Sequence, residues 1–335
     1  MRSILDPIAI RRRERPSLTG GTIVEFLADV PLTCPYFHQR FLAPDGGFFL
    51  CGGDFDGVTE LVRIDLETGA GFRLTAGGAH AHTGDLHQDG RHFAFTSDGL
   101  YQVDVLSGEV CRRRPFPDEG WEFGGCVHTN SDCTCAALFA NRQHESGVPV
   151  GSVWTVSNTD GGWRRVVSRP FRIGHVQFSP TDPELLMYCH ETGGASPQRM
   201  WLARTDGDHP GPLYHRPGHP WVTHEVFSGD GQWVVFIRHP EGLGMIGPDN
   251  TGLRTVDAPG AWHPGPSFDA GRICYDTHDG RLCMWDATTD RHTSLSSGER
   301  SGDAPHLHPR FCPDDVTVIW TSTYDGPPHP ALLRL

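Results

Sequence analysis

Short apolar runs bounded by Gly, Asp and Pro alternate with polar turns from about residue 20 to the end of the chain. Many of the runs alternate apolar and polar positions, the period of a half-buried strand, and no stretch carries the 3.6-residue period of a long amphipathic helix. The pattern predicts an all-β chain. The runs also recur in one order: an apolar segment, a turn centred on aspartate, a second apolar segment, a polar turn, and a third strand ending near D-x-x-T/S-G. One copy is FHQRFLAPDGGFFLCGG leading to LVRIDLETG, the next is HTGDLHQDGRHFAFTSDGLYQVDVLSG, and the last is HPRFCPDDVTVIWTSTYDG. The turn aspartates are Asp45, Asp89, Asp132, Asp182, Asp230, Asp269 and Asp314, spaced by 44, 43, 50, 48, 39 and 45 residues. That period matches four short strands per blade, so the chain is expected to be a seven-bladed β-propeller. The last copy shows only three strands before Leu335, and TIVEFLADV (22–30) is expected to complete that blade and close the ring. On this reading residues 1–19 are an N-terminal extension and 20–335 a single propeller domain.

The first strand of each blade lines the central axis, and its first residues open onto one face of the disc. Six of the seven repeats place a histidine six or seven residues before the turn aspartate: His38, His82, His175, His224, His263 and His308. The third repeat has Gly125 in that register, with His128 further in. The ring geometry therefore gathers imidazoles that are far apart in sequence at one mouth of the channel. His306 adds a seventh, in GDAPHLHPRF; in an extended backbone residues i and i+2 share a face, so His306 and His308 aim at one point. Three imidazoles with a carboxylate or amide suit a borderline divalent ion such as Mn, Fe, Ni or Zn. The nearest oxygen donor in sequence is Asp303, just ahead of Pro305.

Composition narrows the classes. A net charge of −13 argues against a nucleic-acid partner. An anionic substrate would need a local cationic pocket to overcome the field of the whole chain. Hydrophobic content of 37% and mean hydropathy of −0.38 describe a soluble globular protein. No apolar run approaches a membrane span, and SILDPIAI is broken by Asp6 and Pro7, so a cytoplasmic location is expected. The ten cysteines form no CxxC and fall mostly inside strand-like runs, as small buried hydrophobes do.

With these residues in place, the chain resembles the oligogalacturonate lyase family of propeller polysaccharide lyases. The carriers are YFHQRFLAPDGGFFLCGGDFDG (36–57), NSDCT, GHVQFSP, the YCHE and RMWL block (188–207), THEVF and HPRFCPDD. The resemblance implies a divalent metal, usually manganese, held by His263, His306 and His308, with Asp303 standing where the family has a glutamine. A carboxylate there should hold a hard cation more tightly and weaken its pull on a substrate carboxylate. The resemblance also makes His224, in THE, the base and Arg199, in RMW, its arginine partner. The implied substrate is a small acidic oligosaccharide, a 4-linked uronate, and the implied reaction is β-elimination. Arg199 cannot act as a base at ordinary pH and is expected to clamp a substrate carboxylate. His175, His190, His38, His82 and Asp56 are expected to bind substrate around this centre, and Asp54 and Asp325 to overhang the same face. Two other classes fit a seven-bladed ring: an interaction scaffold of WD-repeat or TolB-like type, which needs no metal, and a four-histidine iron oxygenase, which needs a broad apolar tunnel.

Overall fold

The computed structural model describes residues 2–145, 147–208, 211–215, 221–300, 302 and 304–335. These residues form seven antiparallel sheets in sequence order, the blades of a β-propeller. The repeat has a local cause. All seven turn aspartates accept a hydrogen bond from the backbone N–H two residues on, at 2.8–3.1 Å, as from Gly47 to Asp45 or Val316 to Asp314. Each is an Asx turn that reverses the chain between the first and second strands of its blade.

Closure runs through a strand from the N-terminal part of the chain. Thr22–Leu27 pairs with His329–Arg334 in the seventh blade, with Ile23 opposite Leu333 and Glu25 opposite Ala331. Residues 1–19, set apart in the sequence as an extension, are instead built into the blades from Arg2 to Pro16. Arg2–Ile8 pairs with Gly71–Ala76 as the outermost strand of blade one, and Arg11–Pro16 pairs with Thr22–Leu27 as the outermost strand of blade seven. RRRERP reads as a charged tail because an edge strand has one face in solvent. Its other face turns Arg13 and Arg15 onto the buried Glu25, at 2.5 and 2.7 Å, and Arg15 also meets Glu299. Burial pushes Glu25 up, but His329, Arg13 and Arg15 outweigh it and hold the carboxyl down to about 2.

Apolar side chains fill the spaces between neighbouring blades. Trp320, Tyr188, Phe49, Phe95 and Phe236 are each essentially buried, and each fully buried side chain of this kind contributes about 1.5–3 kcal/mol. All ten cysteines are free, seven of them buried, in keeping with their expected packing role. No helix among the described residues is long and apolar enough to cross a membrane.

Burial of histidine sets an acid limit on this fold. His87 and His128 lie near the axis, 3% and 6% exposed, and burial pulls both imidazoles down to about 4. Above about pH 6.5 these rings are neutral in folded and unfolded chains alike. As pH falls from there towards about 4, the unfolded chain binds protons that the folded chain refuses, so stability is lost across that window. The loss reaches about 3 kcal/mol per ring at its lower end. Thermal melts are expected to show a steadily falling Tm between about pH 6.5 and about pH 4; a constant Tm would show that these rings are not held neutral.

Candidate active site

The inner strands do not run straight past the axis. In blades four, five and six the pairing register shifts at the histidine: between Gly174 and Gln177, between Thr223 and Val226, and between Ala261 and Pro264. His175 and His224 sit in these bulges with φ of +49° and +52°, and His308 has φ of +49° just before the inner strand of blade seven. A non-glycine residue at positive φ is strained, and bulges re-aim side chains at functional sites. Here they turn imidazoles towards one another. The ring centroid of His263 lies 4.2 Å from His224, 4.4 Å from His308 and 5.0 Å from His306. His306 and His308 are 6.4 Å apart and stacked at 28°. Their shared direction follows the i, i+2 expectation, although His308 leaves the extended region and strand pairing starts only at Arg310.

Asp276, on the second strand of blade six, pins this group. Its carboxylate accepts from the backbone N–H of His263 at 2.7 Å and of Leu307 at 3.1 Å, and it lies 3.0 Å from His263 Nδ1. One carboxylate thus ties the histidine of blade six to the segment carrying His306 and His308, and leaves His263 Nε2 as the free nitrogen. Ligand atoms of His263, Asp276 and His306 all fall within 4.8 Å of one another. The donor chemistry suits a divalent cation. His306 and His308 each have a buried Nδ1 with no hydrogen-bond partner. Burial holds His263 and His308 well below the usual imidazole range and lowers His306, against the opposing pull of Asp276 on the latter two. Neutral imidazoles present the lone pairs that coordination requires. Replacing Asp276 by asparagine should weaken divalent-metal affinity about ten- to a hundredfold, because a carboxylate behind a ligating histidine fixes its tautomer and direction. Calorimetric titration of the metal checks this; an unchanged Kd would remove Asp276 from the site's support. Asp303 lies outside the described residues.

On the other side of His224 is an ion cluster. Arg199, 4% exposed, reaches Glu225 Oε2 and Glu191 Oε2 at 3.3 Å each, and its Nη2 is 3.4 Å from His175 Nδ1. His175 Nδ1 is 3.1 Å from Glu225 Oε1 and its Nε2 is 3.3 Å from the Tyr36 hydroxyl. A proton on Nδ1 shared with Glu225 leaves Nε2 to accept from Tyr36, whose hydroxyl burial holds protonated. Burial opposes the Glu225 charge, but Arg199 and His175 prevail and depress it strongly. His175, Cys189 and Glu225 also bring ligand atoms within 4.8 Å. Burial raises the Cys189 thiol well above its ordinary value, and Glu225 is engaged with Arg199, so this second group is an ion network and not a cation site. The expected carboxylate clamp is closed off: Arg199 is already enclosed by two glutamates, and only displacement of the partly exposed Glu191 would open it.

The axis itself is plugged by residues that the sequence reading passed over. Blade one breaks its inner strand after Leu32–Thr33 and resumes pairing at Leu42, and the turn between carries Tyr36 and Phe37 into the channel. Tyr36 lies 4.8 Å from His308 and 5.3 Å from His175; Phe37 lies 5.4 Å from His263 and 5.6 Å from His224. His38 consequently sits on this turn and not on a strand, buried beneath Tyr36 and Phe37 and facing the opposite end of the channel. His82 is on a short 3-10 turn, Ala81–Thr83, packed against Gly52, where any Cβ would meet its ring at 2.6 Å. His38 nonetheless lies 5.5 Å from His175, and His82 is among the groups that lower His308, so both border the histidine group without standing on its strands. His190 stacks on Phe171 at 4.1 Å and meets Ser196 Oγ through Nδ1 at 2.9 Å. Asp56 is exposed at the tip of a hairpin with φ of +57°, beside Asp54, which accepts from Gly57 N–H. Asp325, also exposed and at positive φ, pairs with Arg13 at 3.4 Å. Turn formation accounts for all three aspartates.

Comparison with known proteins gives a consistent set. The family model described as oligogalacturonate lyase matches residues 12–245. The chain is 24% identical over 361 residues to the oligogalacturonate lyase of Dickeya dadantii, covering 93% of this chain and 92% of that protein. It is 23% identical over 359 residues to the oligogalacturonide lyase of Pectobacterium atrosepticum, covering 92% of each. A solved oligogalacturonate lyase in complex with manganese superposes with a TM-score of 0.86 at 23% identity, covering 100% of this chain and 98% of that one. The oligogalacturonate lyase structure from Vibrio parahaemolyticus gives a TM-score of 0.88 at 22% identity, covering 98% of each chain.

Proposed function

This chain belongs to the oligogalacturonate lyase family, and from that premise we propose that it cleaves short 4-linked galacturonates by β-elimination, using manganese held by His263, His306 and His308. The observation that carries the reading is the meeting of these three neutral imidazoles with a fourth, His224, 4.2 Å from His263 at the same mouth. The cation, when bound, would offset negative charge building on the substrate carboxylate as the C5 proton leaves. His224 is the base: burial, followed by His263 and His175, keeps it neutral at physiological pH, ready to accept that proton. The C5–H electrons form the C4–C5 double bond, the C4–O4 bond breaks towards oxygen, and O4 leaves with a proton relayed by water, which His224 replaces with the proton it took from C5. Arg199, Glu225 and Glu191 hold His175, and through it Tyr36, in fixed positions at the edge of the mouth. Trp262, 4.5 Å from His224 and 6.3 Å from His306, walls the opposite side and keeps water from the base.

The test is to incubate the manganese-loaded protein with digalacturonate and follow ultraviolet absorbance and product masses. A 4,5-unsaturated monouronate beside a saturated one supports elimination. Two saturated monouronates, which carry an added water, would mean hydrolysis, and an unchanged disaccharide would refute the substrate.

A further inference from the structure

The far end of the central channel is a second cavity, of about 410 Å³, that the proposed reaction does not use. Phe37 is its floor and separates it from the histidine mouth, since the same ring touches His224 and His263. The inner strands that bring histidines to one mouth bring phenylalanines to the other: Phe178, Phe227 and Phe311 line the cavity, with Phe268 at the rim, 62% exposed. The volume is that of an ordinary small-molecule pocket, mostly apolar with a few convergent polar groups.

Two of those polar groups lack partners of their own kind. Arg310 donates from Nη1 to the carbonyls of Phe37 and Gln39, at 3.2 and 2.7 Å, and lines the cavity. Among the described residues no carboxylate lies within ion-pair distance of it. Asp85 is taken by Arg40 at 2.5 Å and by Thr129 at 2.8 Å, and Asp315, which also lines the cavity, accepts from the Phe268 N–H at 2.8 Å. A guanidinium stays a cation at ordinary pH. His38, between the two carbonyls that Arg310 binds, is 2% exposed, and neither of its ring nitrogens has a hydrogen-bond partner. A part-buried cation with no carboxylate partner and a buried imidazole with no hydrogen bond, both lining one cavity, are costly unless something completes them. In a chain of net charge −13 such a cationic floor is a local construction, not a property of the surface.

We propose that this mouth binds a small organic anion, a carboxylate borne on an aromatic or other apolar body, with the carboxylate at Arg310 and His38 and the body against the phenylalanine wall. A uronate matches it less well, because much of its hydroxylated ring would face Phe178, Phe227 and Phe311.

Calorimetric titration of the full chain, manganese-loaded, with phenylacetate, phenylacetamide and acetate tests the proposal. Phenylacetate is expected to bind at least about tenfold more tightly than either the neutral isostere or the bodiless anion. Arg310→Met should remove that preference, with digalacturonate turnover unchanged. Should Arg310→Met fail to fold, Phe268→Ser changes only the exposed rim and should weaken phenylacetate several-fold while leaving acetate as it was. Equal binding of phenylacetate and phenylacetamide overturns the proposal. So does the absence of binding at tens of millimolar, or binding that survives in both variants and competes with digalacturonate, which would place the ligand in the histidine mouth.

Discussion

A chain carrying alanine at both His306 and His308 is expected to bind no manganese at micromolar metal and to lose at least about a thousandfold in kcat/KM on digalacturonate. The size of the effect follows from local charge as well as from lost ligands. Among the described residues around the four imidazoles are two guanidinium groups, Arg199 and Arg300, and three carboxylates, Glu191, Glu225 and Asp276. With the histidines neutral these groups sum to one negative charge, and a divalent cation adds two positive charges to the mouth. An oligouronate therefore meets a far more favourable field at the mouth of the loaded protein than at that of the stripped one, so binding and chemistry fail together. Metal content by plasma emission, with kinetics in the presence of a chelator, checks both parts. A double variant that turned over normally in chelator would show that the cation is not held here.

The second large effect is at His224. Its φ of +52° makes alanine a poor probe, since strain would remain without the imidazole. Asparagine tolerates that region better than other side chains and lacks a base nitrogen. His224→Asn is expected to lower kcat by about a hundred- to ten-thousandfold, the usual worth of a positioned general base, with metal stoichiometry unchanged. The pH profile supplies an independent check. Because burial and the adjacent His263 and His175 hold His224 well below 6.5, kcat/KM of the wild-type protein should stay level as pH falls through the ordinary histidine range and decline only below it. An acid limb near the usual imidazole value, or a variant with full activity, would assign the proton transfer elsewhere.

The propeller was legible because its signal is local chemistry repeated. An aspartate two residues before the N–H it captures makes the same turn wherever it occurs, and seven such turns at nearly constant spacing need no long-range information. The histidines of blades four to seven were legible for the same reason, standing at a fixed distance from those turns. His38 and His82 kept the spacing but not the geometry, because blade one breaks its inner strand and blade two shortens its own to Asp85–Leu86. Glu225 stands next to His224 in a motif that was read for its histidine. Strict alternation puts neighbours on opposite faces, and only the bulge between Thr223 and Val226 lets both residues serve the centre. Asp276 was hidden in YDTHDG, which reads as a strand end entering a hairpin. Its link to Leu307 spans two blades, and nothing in either segment announces the other. The resemblance to known lyases supplied roles for His224 and Arg199, but not the two glutamates that enclose the arginine.

The ribosome delivers Thr22–Leu27 long before their hydrogen-bonding partner, His329–Arg334. Six blades must therefore wait during synthesis as an open crescent with two bare edges, and His306 and His308 emerge only with the seventh. A chain cut short before that pair would carry six blades and neither imidazole, so truncation there is expected to abolish metal binding outright instead of weakening it.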